Sequence, residues 1–140
     1  MVYLTGDTHG DIDRFKVYND LFGAPAGDRL LADIGTMIRD LMPAGAAAAR
    51  LRADHFVCCC SRSSFDPDRM LAALDAWFAS YREDFTFFVR LGIFPIDDPS
   101  LDVNLMCDRA LLALRSAKSG YVGSKYVFYD EKLRSSVLKE

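Results

Sequence analysis

Apolar and polar positions change period several times along the chain, and each change predicts an element. "VYLT", residues 2–5, reads as a strand. From Gly27 to Met42 the apolar positions Leu30, Leu31, Ile34, Met37, Ile38 and Leu41 form a helical stripe, which Pro43 and Gly45 end. "AAARLR" and "FVCCCS" are two short strands, with Ala53-Asp54-His55 between them as a hairpin tip. "FDPDRMLAALDAWFASYRED" places Asp66 as an N-cap and Pro67 at the first helical position, with Met70, Leu74, Trp77, Phe78 and Tyr81 on one face. Residues 85–96, "FTFFVRLGIFPI", are aromatic and β-branched and predict a strand. A helix follows from about Leu101 to near Gly120, then a strand over "KYVFYD" and the first turns of a helix in "EKLRSSVLKE". Helices interleaved with strands and a hairpin predict an α/β layered sheet.

Composition narrows this picture. The 140 residues suit one domain with a real core, and 51% hydrophobic with 26% charged residues is a globular balance. A net charge of −3 supplies no basic field for nucleic acid, so no nucleic-acid partner is expected. No apolar run approaches the ~20 residues of a membrane span, and no secretory leader is visible, so the expected location is cytoplasmic. Cys58, Cys59 and Cys60 are adjacent. Alternate strand residues point to opposite faces, so they cannot share one metal and read as small apolar residues of a buried strand.

Candidate chemistry concentrates in "GDTHGDIDRFKVYND", residues 6–20, which can be parsed in two frames. Asp7-x-His9 after a strand is a start used by binuclear-metal phosphoesterases, but such sites draw on several His, Asp and Asn residues from separate loops. The chain has only His9 and His55. The other frame reads Asp11-x-Asp13, Phe15-Lys16, Asn19-Asp20 and, further on, Asp28.

In this second frame "DIDRFKVYNDLFGAPAGD", residues 11–28, resembles the opening of the GGDEF, or diguanylate cyclase, domain family. "ARLRADHFVCCC" stands where that family has its strand, signature tip and returning strand. "VRLGIFPI" is similar to its Ser-Ile-Gly-Ile strand, and "CDRALLALRSAKSG" to its Ala-Asp-x-Ala-Leu helix. The resemblance runs from about Asp11 to Asp130. It implies a GGDEF-type, nucleotidyl-cyclase-like α/β fold: a mixed sheet flanked by helices. The expected division is a domain over 1–130 and the start of a linker helix over 131–140.

The same resemblance implies roles. Asp11, the Ile12 carbonyl and Asp54 map to ligands of the Mg²⁺ (or Mn²⁺) that accompanies GTP, a cation that takes one or two protein carboxylates plus phosphates. Asn19 and Asp28 map to residues that read the guanine edge, and Lys118 to a phosphate-binding lysine. Each also has a plain structural reading: Asp11 and Asp13 as helix caps, Asn19-Asp20 as a turn, Lys118 as a helix-end lysine.

The chain departs from the family at the signature tip, where Arg52, Ala53, Asp54, His55 and Phe56 stand for Gly-Gly-Asp/Glu-Glu-Phe. Glycine lets backbone approach phosphate, which Arg52 and Ala53 do not, and His55 is a poor Mg²⁺ ligand in place of a carboxylate. Ala24 replaces a family histidine, Val122 stands where many members have an arginine, and "PAGA", residues 43–46, replaces the inhibitory Arg-x-x-Asp. "GDTHG" breaks the first strand, so it ends at Thr5 with an irregular connection or the first ten residues are not the natural ones. The family's usual leading helix is also missing. The expectation is a degenerate, catalytically impaired domain acting as a GTP-sensing or interaction module, with Asp54 as the surviving catalytic carboxylate if it is instead an active cyclase. Expected partners are GTP and an EAL phosphodiesterase domain or a second GGDEF domain. A purely structural domain without a nucleotide site is the remaining possibility.

Overall fold

The computed structural model describes the backbone of residues 1–6, 8, 9, 12–52, 54–116 and 125–132, and their side chains except those of 3–14 and 52. Five strands, Val2–Gly6 (β1), Ala47–Arg52 (β4), His55–Cys59 (β5), Val89–Ile93 (β6) and Lys125–Phe128 (β7), form one sheet in the order β4-β5-β1-β6-β7. Every pairing is antiparallel except β6 with β7. Thr8–His9 (β2) and Ile12–Asp13 (β3) pair as a separate two-stranded ribbon. The helices are Arg14–Phe22 (α1), Ala24–Leu41 (α2), Pro67–Tyr81 (α3) and Val103–Arg115 (α4).

Strand alternation divides the core between the two faces of this sheet. Val2, Phe56, Cys58, Val89, Leu91 and Ile93 meet Tyr18 of α1, Leu30, Leu31, Ile34 and Ile38 of α2, and Met70, Leu74 and Phe78 of α3. On the other face Val57 and Phe94 meet Met106, Ala110, Ala113 and Leu114 of α4. Burying each such large apolar side chain stabilises the fold by about 1.5–3 kcal/mol, which is what fixes the strand register. Gly92 on β6 lets α4 come close: a Cβ there would lie 2.8 Å from both Cβ and N of Leu114, and closer still to the Ala110 carbonyl.

The predicted α/β layering with a mixed sheet flanked by helices is present, and α3 begins as expected. Asp66 accepts from the backbone N–H groups of Asp68 and Arg69, and Pro67 opens the helix. Several boundaries move. The strand predicted over 85–96 is confined to Val89–Ile93, because Phe85 and Phe87 turn into a ring cluster with Tyr18, Phe22 and Phe78 instead of extending the ladder. The helix expected from Gly27 begins at Ala24, with Pro25 in its first turn. The helix expected from Leu101 begins at Val103.

The reading of Asn19-Asp20 as a turn is corrected, since both lie inside α1. The change of direction comes four residues later at Gly23, whose φ of +92° favours a residue without Cβ. The three adjacent cysteines are all free; Cys58 is buried, Cys59 is half-buried, and Cys60 falls just past the strand. Burial, with Cys60 nearby, pushes the Cys58 thiol up to about 12, so it behaves as the small apolar residue expected. Glu131–Lys132 are helical; the rest of the tail, residues 133–140, for which a helix is expected, lies outside the described residues.

Candidate functional site

Two places gather the residues singled out in the sequence: the seam between α1 and α2, and the end of the sheet at the β4–β5 tip. In the seam, Asn19 is half-buried and its side-chain Oδ1 is fully buried with no hydrogen-bond partner. It is pressed against Gly27, where a Cβ would lie 2.8 Å from Asn19 Cγ and nearer still to Oδ1. The Gly23 N–H donates to the Asn19 carbonyl at 2.8 Å, and the Gly27 N–H to the Gly23 carbonyl at 3.2 Å, so the two helices meet through a fixed turn. Asp28 follows Gly27 on α2 and is exposed. An unpaired buried acceptor costs about 1–3 kcal/mol, so a polar atom left this way calls for a functional account.

At the sheet end, Asp54 is only 5% exposed. His55 opens β5 with its Nε2 3.7 Å from Asp54 Oδ1, too long for a hydrogen bond but close enough for Coulomb attraction when the imidazole carries a proton. Phe56 is buried in the core beneath them. Arg52 ends β4 with a register shift before it, and Ala53 lies outside the described residues.

The ladder then sets a row across the sheet. His55 pairs with Thr5, Thr5 with Arg90, and Arg90 with Lys125, while Arg52 pairs with His55 from the other side. The row aligns the backbone positions of Arg52, His55, Thr5, Arg90 and Lys125 across this end of the sheet. Arg90 is 3% exposed, and with Asp54 it makes up the buried charged pair of side chains among the described residues.

Several predicted positions escape this geometry. Asp11 and Lys118 lie outside the described residues, as does Val122. Ile12 is in β3, paired with His9. Ala24 is exposed at the first position of α2. Arg90 was missed in the sequence, although a lone charge within the apolar run "FFVRLGIF" is a signal of a buried polar role. Gly27 was missed as well; its clue was a glycine inside a helical stripe.

A pair of divalent cations needs several oxygen ligands around it. Among the described residues no three His, Cys, Asp or Glu side chains converge as a metal cluster. Asp54 has an imidazole beside it and shares its end of the sheet with a buried guanidinium. Among the described residues this donor set does not by itself supply the ligands of two cations; Asp11 lies outside those residues. A separate cavity of about 530 Å³, lined by Phe78, Arg82, Glu83, Phe85 and Phe87 among others, touches none of the predicted site residues.

Comparison with known proteins places this geometry in a family. None of the curated proteins compared with the chain matches it. The solved structures give the fold. An EAL/GGDEF domain protein from M. capsulatus is 24% identical with a TM-score of 0.69, over 92% of this chain and 84% of that one. The GGDEF domain of TpbB, also called YfiN, from Pseudomonas aeruginosa is 26% identical with a TM-score of 0.68, over 99% and 81%. The active GGEEF domain of a diguanylate cyclase from Vibrio cholerae is 16% identical with a TM-score of 0.69, over 93% and 81%. The family model described as "Diguanylate cyclase, GGDEF domain" matches residues 9–121. With most of its length matched, the chain belongs to the GGDEF domain family of cyclic di-GMP signalling proteins.

Proposed function

We propose that this is a catalytically impaired GGDEF domain that binds GTP and acts as a regulatory module in cyclic di-GMP signalling. The observation that carries nucleotide binding is the Asn19 amide, held by Gly27 in the α1–α2 seam with its oxygen buried and unpartnered, next to the exposed carboxylate of Asp28. An amide and a carboxylate together suit a guanine edge, which offers N–H donors and an acceptor. GGDEF domains generally use Mg²⁺ or Mn²⁺ with GTP. Here Asp11 and Asp54 are the carboxylates available to a cation, with the Ile12 carbonyl, and Lys118 is the phosphate-side lysine.

Joining two GTP molecules demands charge neutralisation and in-line geometry on both. Arg52 and Ala53 in place of two glycines, and His55 in place of a carboxylate, remove both close approach and negative charge at the tip. Losing such electrostatic contributions raises a barrier by roughly 3–4 kcal/mol per donor. The test is to incubate purified protein with GTP and Mg²⁺ or Mn²⁺ and chromatograph the products. No cyclic di-GMP above the protein-free control is expected; robust product would overturn this reading.

One observation favours a second reading, an active cyclase with a variant tip: Asp54 keeps a buried carboxylate at the tip. Product that disappears in Asp54→Ala would establish it. For the regulatory reading the partner is an EAL phosphodiesterase domain or a second GGDEF domain, and the net charge of −3 gives no support to a nucleic-acid partner.

A further inference from the structure

The cavity of about 530 Å³ lies against the last turn and C-cap of α3, and the nucleotide reading makes no use of it. Phe78, Phe85 and Phe87 give it an aromatic floor, with centroids 4.7 Å apart for Phe78 and Phe87 and 4.8 Å for Phe85 and Phe87. Asp75, Arg82 and Glu83 also line it. Arg82 is turned away to its own partners: its Nε donates to Asp84 Oδ1 at 2.8 Å, and its guanidinium carbon lies 3.4 Å from the centre of the Phe22 ring. Among these four charged side chains, three carboxylates stand against one guanidinium. The end of α3 adds to the imbalance. A helix C-terminus concentrates partial negative charge on its last carbonyls, and the last turn of α3 holds no basic residue to offset it. The Arg82–Phe22 contact shows the same ring cluster already accepting a cation on a ring face.

We propose that this cavity binds a small organic cation whose charge is wrapped in apolar groups, of the quaternary-ammonium or alkylated-amine class. Ring faces attract such a cation and more strongly so once it is desolvated, while the apolar groups cover the phenylalanine floor. The carboxylates and the helix end reinforce the same sign of charge. A divalent metal ion asks instead for a shell of oxygens, and among the described residues no three His, Cys, Asp or Glu side chains converge. An anion meets repulsion from Asp75, Glu83 and the α3 carbonyls. The volume falls within the roughly 300–1,000 Å³ of small-ligand pockets. The site shares no lining residue with Asn19 and Asp28, so it stands whether or not GTP binds.

The experiment is an NMR titration of the full chain with choline, and separately with 3,3-dimethylbutan-1-ol, its neutral isostere, at matched ionic strength. The Phe78 and Phe87 ring resonances report on the cavity. Choline is expected to shift them saturably, with a Kd at least about fivefold lower than that of the isostere, the gain expected of a cation on partly desolvated rings. Glu83 is exposed, so its substitution leaves the fold in place. Glu83→Lys is expected to weaken choline by about tenfold or more and Glu83→Gln by less, with the isostere unaffected by either. Circular dichroism melts confirm that both variants fold, and the wild-type comparison of the two ligands stands without them. Equal affinity for choline and its isostere overturns the proposal, as does the absence of saturable shifts at Phe78 and Phe87. Choline binding that Glu83→Lys leaves unchanged overturns it too.

Discussion

Gly27 presses on the side chain of Asn19 so closely that any Cβ at position 27 would overlap the amide oxygen. The contact locks the start of α2 against α1 and decides where the amide points. Gly27→Ala is therefore expected to swing Asn19 out of the seam, weakening GTP binding by about tenfold or more, or about 1.4 kcal/mol. The cost in stability should be about 1–3 kcal/mol, the range for overpacking. Parallel calorimetry and urea unfolding check both.

The Tyr81 hydroxyl of α3 donates to Asp33 Oδ2 of α2 at 2.7 Å, tying the two helices on the same sheet face. Burial, and then the hydrogen bond to Asp33, push the phenol up to about 12. The folded value lies above the ordinary 10, so the contribution is full below pH 10 and is lost as pH rises through about 12. Ultraviolet titration of the phenolates should show a late-titrating component that is lost in Tyr81→Phe. The variant should lose about 0.5–1.5 kcal/mol at pH 7 and show a shallower alkaline decline.

How much of this was legible in the residues differs from element to element. The amphipathic stripe over Leu30–Leu41 and the Asp66-Pro67 start signal are local, and the helices follow them. Position 85–88 could not be read locally: Phe85 and Phe87 are strand formers by propensity, but the rings of Tyr18 and Phe22, more than sixty residues away, claim them. α1 was legible only as a short helix after Asp13, because "NDLFG" carries turn residues, although Tyr18 and Phe22 anchor it to the core. At the site, Asn19, Asp28 and Asp54 were singled out through the family resemblance. Arg90 was not, because its partners are set by register across five strands.

Gly92 makes the β6–α4 contact as close as backbone allows. In Gly92→Ala the new methyl meets the Ala110 carbonyl and the Leu114 backbone, neither of which can rotate away, so α4 must shift. A loss of about 3 kcal/mol, at the upper end of overpacking, is expected in chemical denaturation. GTP affinity, set mainly by the opposite face, should change less than stability does.

Asp66 caps α3 by accepting from two backbone N–H groups at 3.0 and 3.3 Å. Asp66→Ala should lower stability by about 1 kcal/mol, whereas Asp66→Asn or Asp66→Ser should retain most of it. Thermal melts of the three variants separate capping from simple charge loss.

On the proposed reading, guanine recognition by this altered-tip GGDEF domain falls to Asn19 and Asp28. Calorimetric titration of GTP into the wild type and Asp28→Ala tests it most directly. The account predicts a saturable heat for the wild type and an affinity at least about tenfold weaker for the variant. An absence of heat with the wild type, or equal affinity in the two proteins, would contradict it.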